Sequence, residues 1–392
     1  MSGLQEIPLG KLVDVVVDNR GKTPPISEAG YELLEVNAIS QDRRTPDYSK
    51  VRKFVSEETF KNWFRKGHLQ PGDILVPTVG TIGNVALVQE SRGAIAQNLI
   101  ALRLKSGVDS RYIYYFLSSS LGKDLMLNLD IGGVQPSIKV PHLLDLKVPL
   151  ADYEDQRAIA AVLSSLDDKI DLLHRQNKTL EAMATSLFRQ RFVEEAQVDW
   201  NEFSLSDFAT HSKGNVVPEK TPDKIFHHYS LPAFDAGMRP TVEAGSEILS
   251  NKYAVKPWTI LVSKLNPRFP RIWPIGDLTE SDAICSTEFQ VFTPKSENLF
   301  GYIYFFLRSG DARDELTMAA SGTSGSHQRV RPEDILNIKT NLPSMDLAEQ
   351  YSALVMPNIR KMWANNEQIQ SLEKLRDTLL PKLMSGEVRV EV

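Results

Sequence analysis

The feature that most constrains this chain is an internal repeat, because the same short motifs occur twice, in the same order, about 190 residues apart. The closest pair is YIYYFL at residues 112–117 and YIYFFL at residues 302–307. Four further pairs keep this order: 7–12 with 203–208, 69–76 with 255–262, the glycine-bearing loops 132–133 with 322–325, and 143–149 with 335–343. Such order predicts two copies of one fold that have diverged in what they bind. The alternative is two unrelated α+β domains with chance matches.

Each copy has the pattern of a mixed α+β domain. Short apolar runs bounded by Pro, Gly and Asp predict strands, and they lie at residues 12–17, 74–79, 99–104, 260–262 and 289–292. Residues 112–117 and 302–307 repeat apolar side chains around one face, which predicts helices. We therefore expect two tandem domains of the same α+β class.

A long helix is predicted after each copy. Between Glu154 and Glu194 there is no Pro or Gly, and seam residues recur at alternating steps of three and four. This heptad seam consists of Leu163, Leu166, Ile170, Leu173, Asn177, Leu180, Ala184 and Leu187. About forty helical residues would extend roughly 60 Å, too long to be buried without a partner along its length.

The C-terminal segment carries a second, less regular seam, which Pro357, Asn365 and Asn366 are expected to interrupt. Its members are Ile359, Met362, Ile369, Leu372, Leu375 and Leu379. We expect the two helices to pair as an intramolecular antiparallel coiled coil, and a homodimeric coiled coil is the alternative. Polar Asn177, at an a position, is expected to fix the register of the pair.

Composition excludes several classes of protein. Cys285 is the one cysteine, so neither an intrachain disulfide nor a cysteine-based zinc site is possible. No apolar run reaches the roughly 18–20 residues of a transmembrane helix, and the N-terminal residues lack a signal-peptide pattern. We expect a cytoplasmic protein.

The net charge of −5 argues against a nucleic-acid partner, but the charges are unevenly distributed. Residues 43–66 carry eight basic and three acidic side chains, and residues 248–276 carry five basic and no acidic ones. One basic cluster in each half favours a polyanion partner. Two solvated surfaces are the alternative.

Residues 149–170 (PLADYEDQRAIAAVLSSLDDKI) resemble the start of the spacer helix in type I restriction–modification specificity subunits. Residues 132–138 (GGVQPSI) and 71–75 (PGDIL) are similar to the domains of that family, while the second spacer motif, at 343–354, departs more from it. The resemblance covers essentially the whole chain. It implies target-recognition domains at 1–151 and 196–344, a central spacer helix at 152–195 and a C-terminal spacer helix at 345–392.

The resemblance also implies function and partners. The chain would read a bipartite double-stranded DNA target, with two short blocks separated by a fixed spacer. It would scaffold two methylation subunits, which carry S-adenosylmethionine, and restriction/translocase subunits, which use ATP and Mg²⁺. No catalytic residue, metal site or cofactor is expected on this chain. Two rival functions are a coiled-coil adaptor that does not bind DNA, and the DNA-binding half of a single-chain restriction enzyme.

The expected DNA contacts are polar or cationic side chains on loops. Such groups bind phosphates, and some of them form paired hydrogen bonds with base edges in the major groove. In the first half the candidates are Asn19, Arg20, Lys22, Arg43, Arg44, Thr78 and Thr81. In the second half they are Lys213, Asn215, Lys264, Asn266, Arg268, Arg271, His327, Gln328, Arg329 and Arg331. We expect residues 264–271 to form an extended loop anchored by Phe269 and Trp273.

Overall fold

The computed structural model describes residues 4–19, 21, 23–40, 43–130, 136–278, 282–320 and 328–390. The chain forms two compact units, residues 1–173 with 368–392 and residues 174–367. The first unit is therefore discontinuous in sequence. None of the helices in the described ranges has the length and apolar content needed to span a bilayer.

The globular part of the first unit contains nine strands and five helices among its described residues. The strands are β1 (Gln5–Pro8), β2 (Val13–Val17), β3 (Tyr31–Leu34), β4 (Phe54–Val55), β5 (Ile74–Pro77), β6 (Ala86–Leu87), β7 (Ala94–Ile95), β8 (Leu99–Leu104) and β9 (Lys147–Leu150). The helices are α1 (Leu9–Leu12), α2 (Glu57–Trp63), α3 (Ser110–Ser118), α4 (Ser120–Leu127) and α5 (Val140–Leu144).

A long helix, α6 (Tyr153–Arg189), follows β9 and is extended by a π-helical turn, Gln190–Glu194. The second unit has the strands β10 (Asn201–Ser204), β11 (Ala209–Ser212), β12 (Asn215–Val216), β13 (Ile225–Tyr229), β14 (Thr241–Ala244), β15 (Lys252–Ala254), β16 (Thr259–Ser263), β17 (Ile272–Ile275), β18 (Ala283–Ser286), β19 (Phe289–Pro294) and β20 (Lys339–Leu342). Its shorter helices are α7 (Leu205–Phe208), α8 (Leu231–Asp235), α9 (Phe300–Leu307), α10 (Gly310–Ala319) and α11 (Pro332–Leu336). The C-terminal helix is α12 (Met345–Ser385).

The repeat is visible in the topology of the sheets. The first unit has a four-stranded antiparallel sheet in the order β2-β8-β5-β6, and the second has β11-β19-β16-β17. Each unit also pairs its first strand with its last, β1 with β9 and β10 with β20, both antiparallel. The predicted α+β class and its repetition are thereby confirmed.

Both faces of each four-stranded sheet are buried. Alternate side chains along a strand point to opposite faces, so neighbouring residues of one strand belong to different clusters. In β5, Ile74 and Val76 contact the cluster around α3, whereas Leu75 contacts a second cluster on the opposite face. In β16, Ile260 likewise packs toward α9, and Leu261 packs on the other side. Each four-stranded sheet is thus a central layer between helices and a second sheet, which has three strands in the first unit and five in the second.

Within the first unit, the start of α6 runs antiparallel to the end of α12. Leu163 shares a buried cluster with Leu380 and Leu383, and Ile170 shares one with Ile369. Polar contacts reinforce this pairing: the Asp167 carboxylate accepts hydrogen bonds from Tyr115 Oη, at 2.7 Å, and from Arg376 Nη1, at 2.9 Å.

Within the second unit, the later part of α6 pairs antiparallel with the first part of α12. Tyr351 is buried against α6 and donates a hydrogen bond to the Ala184 carbonyl at 2.7 Å. Three asparagines form a polar layer in this seam. Asn365 Nδ2 donates to Asn177 Oδ1 at 2.8 Å, and Asn177 Nδ2 donates to Asn366 Oδ1 at 2.7 Å.

The predicted antiparallel coiled coil is confirmed, but two details of the second seam are wrong. Pro357, Asn365 and Asn366 do not interrupt α12, which is continuous from Met345 to Ser385. Leu375 is 47% exposed and lies outside the seam. The asparagines are compatible with the helix because their amides bond across the pair of helices.

The asparagine layer yields a stability prediction. We expect Asn177→Leu to lower the free energy of unfolding by about 1–3 kcal/mol, because the buried amide of Asn365 loses its acceptor. Replacing Asn177, Asn365 and Asn366 together by leucine should recover this loss, because no amide would then be left unpaired. Urea denaturation of the purified variants measures both effects.

The matched control is Lys178→Leu, which adds an apolar side chain at the neighbouring exposed position of α6. It should change the free energy of unfolding by less than about 0.5 kcal/mol. A single Asn177→Leu variant as stable as the triple variant would contradict the proposed hydrogen-bonded layer.

Candidate nucleic-acid interface

In the second unit, the loop 264–271 joins β16 to β17 and is held by backbone hydrogen bonds to residues 328–330. Asn266 N donates to the Gln328 carbonyl at 3.1 Å, and Val330 N donates to the Lys264 carbonyl at 2.9 Å. Two groups of predicted residues that lie about sixty positions apart in the sequence are therefore adjacent. These two adjacent segments carry Lys264, Asn266, Gln328 and Arg329.

The first unit repeats this arrangement. Gly80 N donates to the Pro136 carbonyl at 3.0 Å, and Ile138 N donates to the Thr78 carbonyl at 3.0 Å. The turn residue has a positive φ in both units, 90° at Gly80 and 53° at Asn266. Glycine adopts this conformation freely, and asparagine tolerates it better than most residues. We refer to these two hydrogen bonds, the turn and the third hydrogen bond described next as the loop frame.

A third segment completes the loop frame. Thr78 N donates to the Asn98 carbonyl at 2.9 Å, and Lys264 N donates to the Glu288 carbonyl at 3.0 Å. Asn98 and Glu288 each lie immediately before a central strand, β8 or β19. Sequence reasoning missed both residues. The signal that could have found them is a polar residue at the start of a buried apolar strand, at the same place in each half.

Most cations of the second loop are already paired with carboxylates of their own unit. Arg271 donates to both oxygens of Asp235, at 2.7 and 2.8 Å, and this hydrogen bonding lowers the pKa of the Asp235 carboxyl. Glu288 Oε1 lies 3.2 Å from Arg329 Nη2 and 3.8 Å from Lys264 Nζ. By contrast, Arg268 is exposed, and no carboxylate among the described residues pairs with it.

Residues 3–182 match the family described as Type I restriction modification DNA specificity domain. Among curated relatives, the MjaIX specificity subunit of a type I restriction enzyme from Methanocaldococcus jannaschii is 25% identical over 352 residues, covering 82% of this chain and 78% of that protein. The MjaVIII specificity subunit of the same organism is 25% identical over 182 residues, covering 45% and 42%.

A solved structure, the S subunit of a type I restriction–modification system from M. genitalium, aligns with a TM-score of 0.56 at 16% identity. The alignment covers 99% of this chain and 96% of that one, so the fold is shared over the full length. Residues 3–182 thus carry a type I restriction–modification DNA specificity domain, and the chain as a whole is similar to type I specificity subunits.

Several predicted contact residues of this chain are exposed and lie near the loop frames. Thr81 is exposed in the loop of the first unit, and Arg331 is exposed beside the loop frame of the second. Lys213 and Asn215 are also exposed, at an edge strand of the five-stranded sheet. Among the described residues, no hydrogen bond joins either of them to the loop 264–271.

Two other predicted contact residues are buried or paired within the first unit. Thr78 is 1% exposed and donates its hydroxyl to the Asn98 carbonyl, so its side chain is not available at the surface. The side chain of Arg44 is 10% exposed and is paired with Asp168 and Asp171 of α6. Burial opposes the charge of Arg44, but the hydrogen bond to Asp168 raises the pKa of the guanidinium. We therefore remove both residues from the candidate interface.

The remaining candidates of the first unit help to shape its basic surface. Asn19 accepts a hydrogen bond from Lys66 N and donates one to the Gly67 carbonyl, both at 3.3 Å. Arg43 is half exposed and pairs with Asp47 at 2.8 Å. Arg20, Lys22 and His327 lie outside the described residues, as do the glycine-bearing loops 132–133 and 322–325.

Of the two anchors predicted for the loop 264–271, one is confirmed and the other is wrong. Trp273 is buried and packs against Tyr229 and Phe289. Phe269, however, is 72% exposed and does not anchor the loop. The loop is held by backbone hydrogen bonds, whose pattern leaves the aromatic ring at the surface.

The positive φ of Asn266 yields a prediction that separates backbone from side-chain roles. We expect Asn266→Val to lower the free energy of unfolding by about 1–2 kcal/mol, because a β-branched residue is disfavoured in the left-handed region. Asn266→Gly should preserve stability while it removes the carboxamide. Thermal melting of both variants provides the comparison.

Asn215→Val is the matched control, because Asn215 is exposed and lies in an extended strand. It should leave the melting temperature almost unchanged. If Asn266→Val were equally neutral, the turn would not require its unusual conformation.

Proposed function

We propose that this specificity subunit reads a bipartite double-stranded DNA target, with one block of bases read by each unit. The observation that carries the proposal is the loop frame, which occurs twice with the same backbone hydrogen bonds and with different side chains. Repeated backbone geometry gives two copies of one docking mode. Different side chains on that backbone would give each copy its own base preference.

The exposed groups around the frames suit DNA. Arg268 in the second unit and Arg65 and Lys66 in the first are exposed cations, which favour phosphate contact. Asparagine and arginine on the loops are groups that pair with adenine and guanine edges in the major groove. Paired cations such as Arg271 contribute less to the net attraction, because Asp235 cancels their charge.

The chemical steps of restriction and modification would belong to partner subunits. We propose two methylation subunits that hold S-adenosylmethionine, and restriction/translocase subunits that use ATP and Mg²⁺, all assembled around the paired helices in the cytoplasm. This specificity subunit would supply no catalytic residue and bind no cofactor. Cys285 fits that role, because burial raises the pKa of its thiol to about 12 and leaves it unreactive at neutral pH.

The proposed function is tested by co-expressing the chain with its proposed methylation subunit and sequencing methylated adenines in the host genome. We expect methylation at one motif made of two short blocks with a constant spacer. The purified chain alone should neither methylate nor cut DNA. A non-DNA-binding adaptor would leave the methylation pattern independent of this chain, and that result would refute the proposal.

Arg268 provides a more local prediction. In the co-expressed complex, Arg268→Ala should weaken binding to all DNA sequences about equally, because an exposed guanidinium on this loop would contact phosphate. The slope of log affinity against log salt should become shallower by about 0.9 for the lost contact. Fluorescence anisotropy at several salt concentrations measures both quantities.

Two comparisons sharpen this measurement. Arg313→Ala removes a half-exposed cation from α10 of the same unit, outside the residues of the loop frame, and should leave the slope unchanged. Arg271→Ala should change the slope less than Arg268→Ala, because Arg271 is already paired with Asp235 and is less available to a phosphate. Equal slopes for wild type and Arg268→Ala would remove Arg268 from the phosphate contacts.

A further inference from the structure

The two loop frames have the same backbone but different side-chain chemistry. In the first unit, the residues that form the frame's hydrogen bonds include Thr78, Asn98 and Pro136, and none of the frame's residues is charged. In the second unit, the corresponding positions are Lys264, Glu288 and Gln328, with Arg329 following in place of Ser137. Positions whose side chains differ on a constant backbone are the ones able to discriminate between ligands.

Glu288 stands out among these positions, because a carboxylate at a DNA-facing loop repels phosphate. Its side chain is 27% exposed, and its Oε1 atom lies 3.2 Å from Arg329 Nη2. The same oxygen lies 3.8 Å from Lys264 Nζ. The Oε2 atom is buried and has no hydrogen-bond partner among the described residues. A buried carboxylate oxygen without a donor is unfavourable, so stability alone does not account for this side chain.

Glu288 is placed to hold the guanidinium of Arg329 in one orientation. The guanidinium of Arg329 is planar and offers five N–H donors, of which Glu288 engages one edge at Nη2. The side chain of Arg329 is 58% exposed, so other donors remain accessible. An arginine held in this way loses less conformational freedom when it forms paired hydrogen bonds with the O6 and N7 atoms of guanine.

We propose that Glu288 is a specificity-determining positioning residue, which orients Arg329 to contact a guanine in the block read by the second unit. Asn98 holds the corresponding place in the first unit, where an exposed carboxamide replaces the carboxylate. An asparagine at this place suits the N6 and N7 atoms of adenine. This inference rests on the proposed function, because it assigns base preferences to a chain that reads DNA.

The test uses the specificity subunit in complex with its methylation subunit and selects DNA from a randomised pool. For Glu288→Gln we expect the first block and the spacer to stay the same. The preference for guanine at one position of the second block should fall about tenfold or more. Binding to unrelated DNA should stay equal or become tighter, because a negative charge near the phosphates is removed.

The matched control is Glu219→Gln, which removes one negative charge from an exposed position of the same unit. It should leave both blocks unchanged. Asn98→Asp should alter the first block and leave the second unchanged. This reciprocal result would not arise if the two residues only stabilised their turns, since a loss of stability would weaken all positions of a block together.

A double-mutant cycle tests whether Glu288 acts through Arg329. Arg329→Lys keeps the charge but loses the planar fork, so the same guanine preference should fall while affinity for unrelated DNA is retained. In an Arg329→Ala background, Glu288→Gln should have no further effect on that position. Arg329→Lys also tests the assignment if Glu288→Gln fails to fold.

The outcomes separate the two proposals. If the wild-type complex selects no sequence, the proposed function fails and this inference fails with it. If the wild-type complex selects two blocks, but Glu288→Gln and Arg329→Lys retain the full preference in the second block, only this inference is overturned. A uniform loss of preference over both blocks would also overturn it.

Discussion

The antiparallel pairing of α6 with α12 is the contact on which both units depend. In the first unit, the buried cluster beneath the sheet contains Leu163 from α6 and Leu383 from α12. In the second, the corresponding cluster contains Phe188 from α6 and Tyr351 from α12. Each helix therefore supplies core residues to both units, and neither unit has a complete core without segments from both helices.

The pairing of α6 with α12 includes buried polar contacts. Asp167 is 7% exposed, and Tyr115 and Arg376 both donate hydrogen bonds to it, so its buried charge is compensated. The equivalent of Tyr115 in the second repeat is Phe305, which packs against Tyr351 through aromatic contact. The two domains thus dock on the same helix pair by different chemistry, which is compatible with a shared fold and divergent surfaces.

Much of this architecture was predictable, because repeats and heptads are patterns of sequence alone. The helical segment 112–117 and the strand Leu99–Leu104 were predicted correctly, since apolar spacing decides between helix and strand. The sequence predicts that Asn177 fixes the register, but it predicts interruptions of the helix at Asn365 and Asn366 and does not identify them as its partners. Pairing between residues about 190 positions apart leaves no local signal in the chain.

The candidate interface was less predictable than the fold. Basic clustering marked Arg43 and Arg44 alike, yet the first is half exposed and the second is directed into two carboxylates of α6. Composition reports the presence of a charge and not the partner that neutralises it. The loop frame depends on hydrogen bonds between main-chain atoms, so the sequence marks Asn98 and Glu288 only by their place before an apolar strand in each half. What the sequence did supply was the correspondence between halves that makes the two frames comparable.

The discontinuous first unit has a consequence for synthesis on the ribosome. Residues 174–367 form a continuous unit, whereas the first unit needs residues beyond 367 to close its core. During translation, the N-terminal domain therefore waits with apolar positions such as Ile159 and Leu163 uncovered until Leu380 and Leu383 have emerged. The second unit can complete its fold earlier, although it begins later in the chain. The core of the second unit can therefore close before that of the first, the reverse of the order of synthesis, and the nascent first domain meanwhile exposes apolar surface of the kind that promotes aggregation.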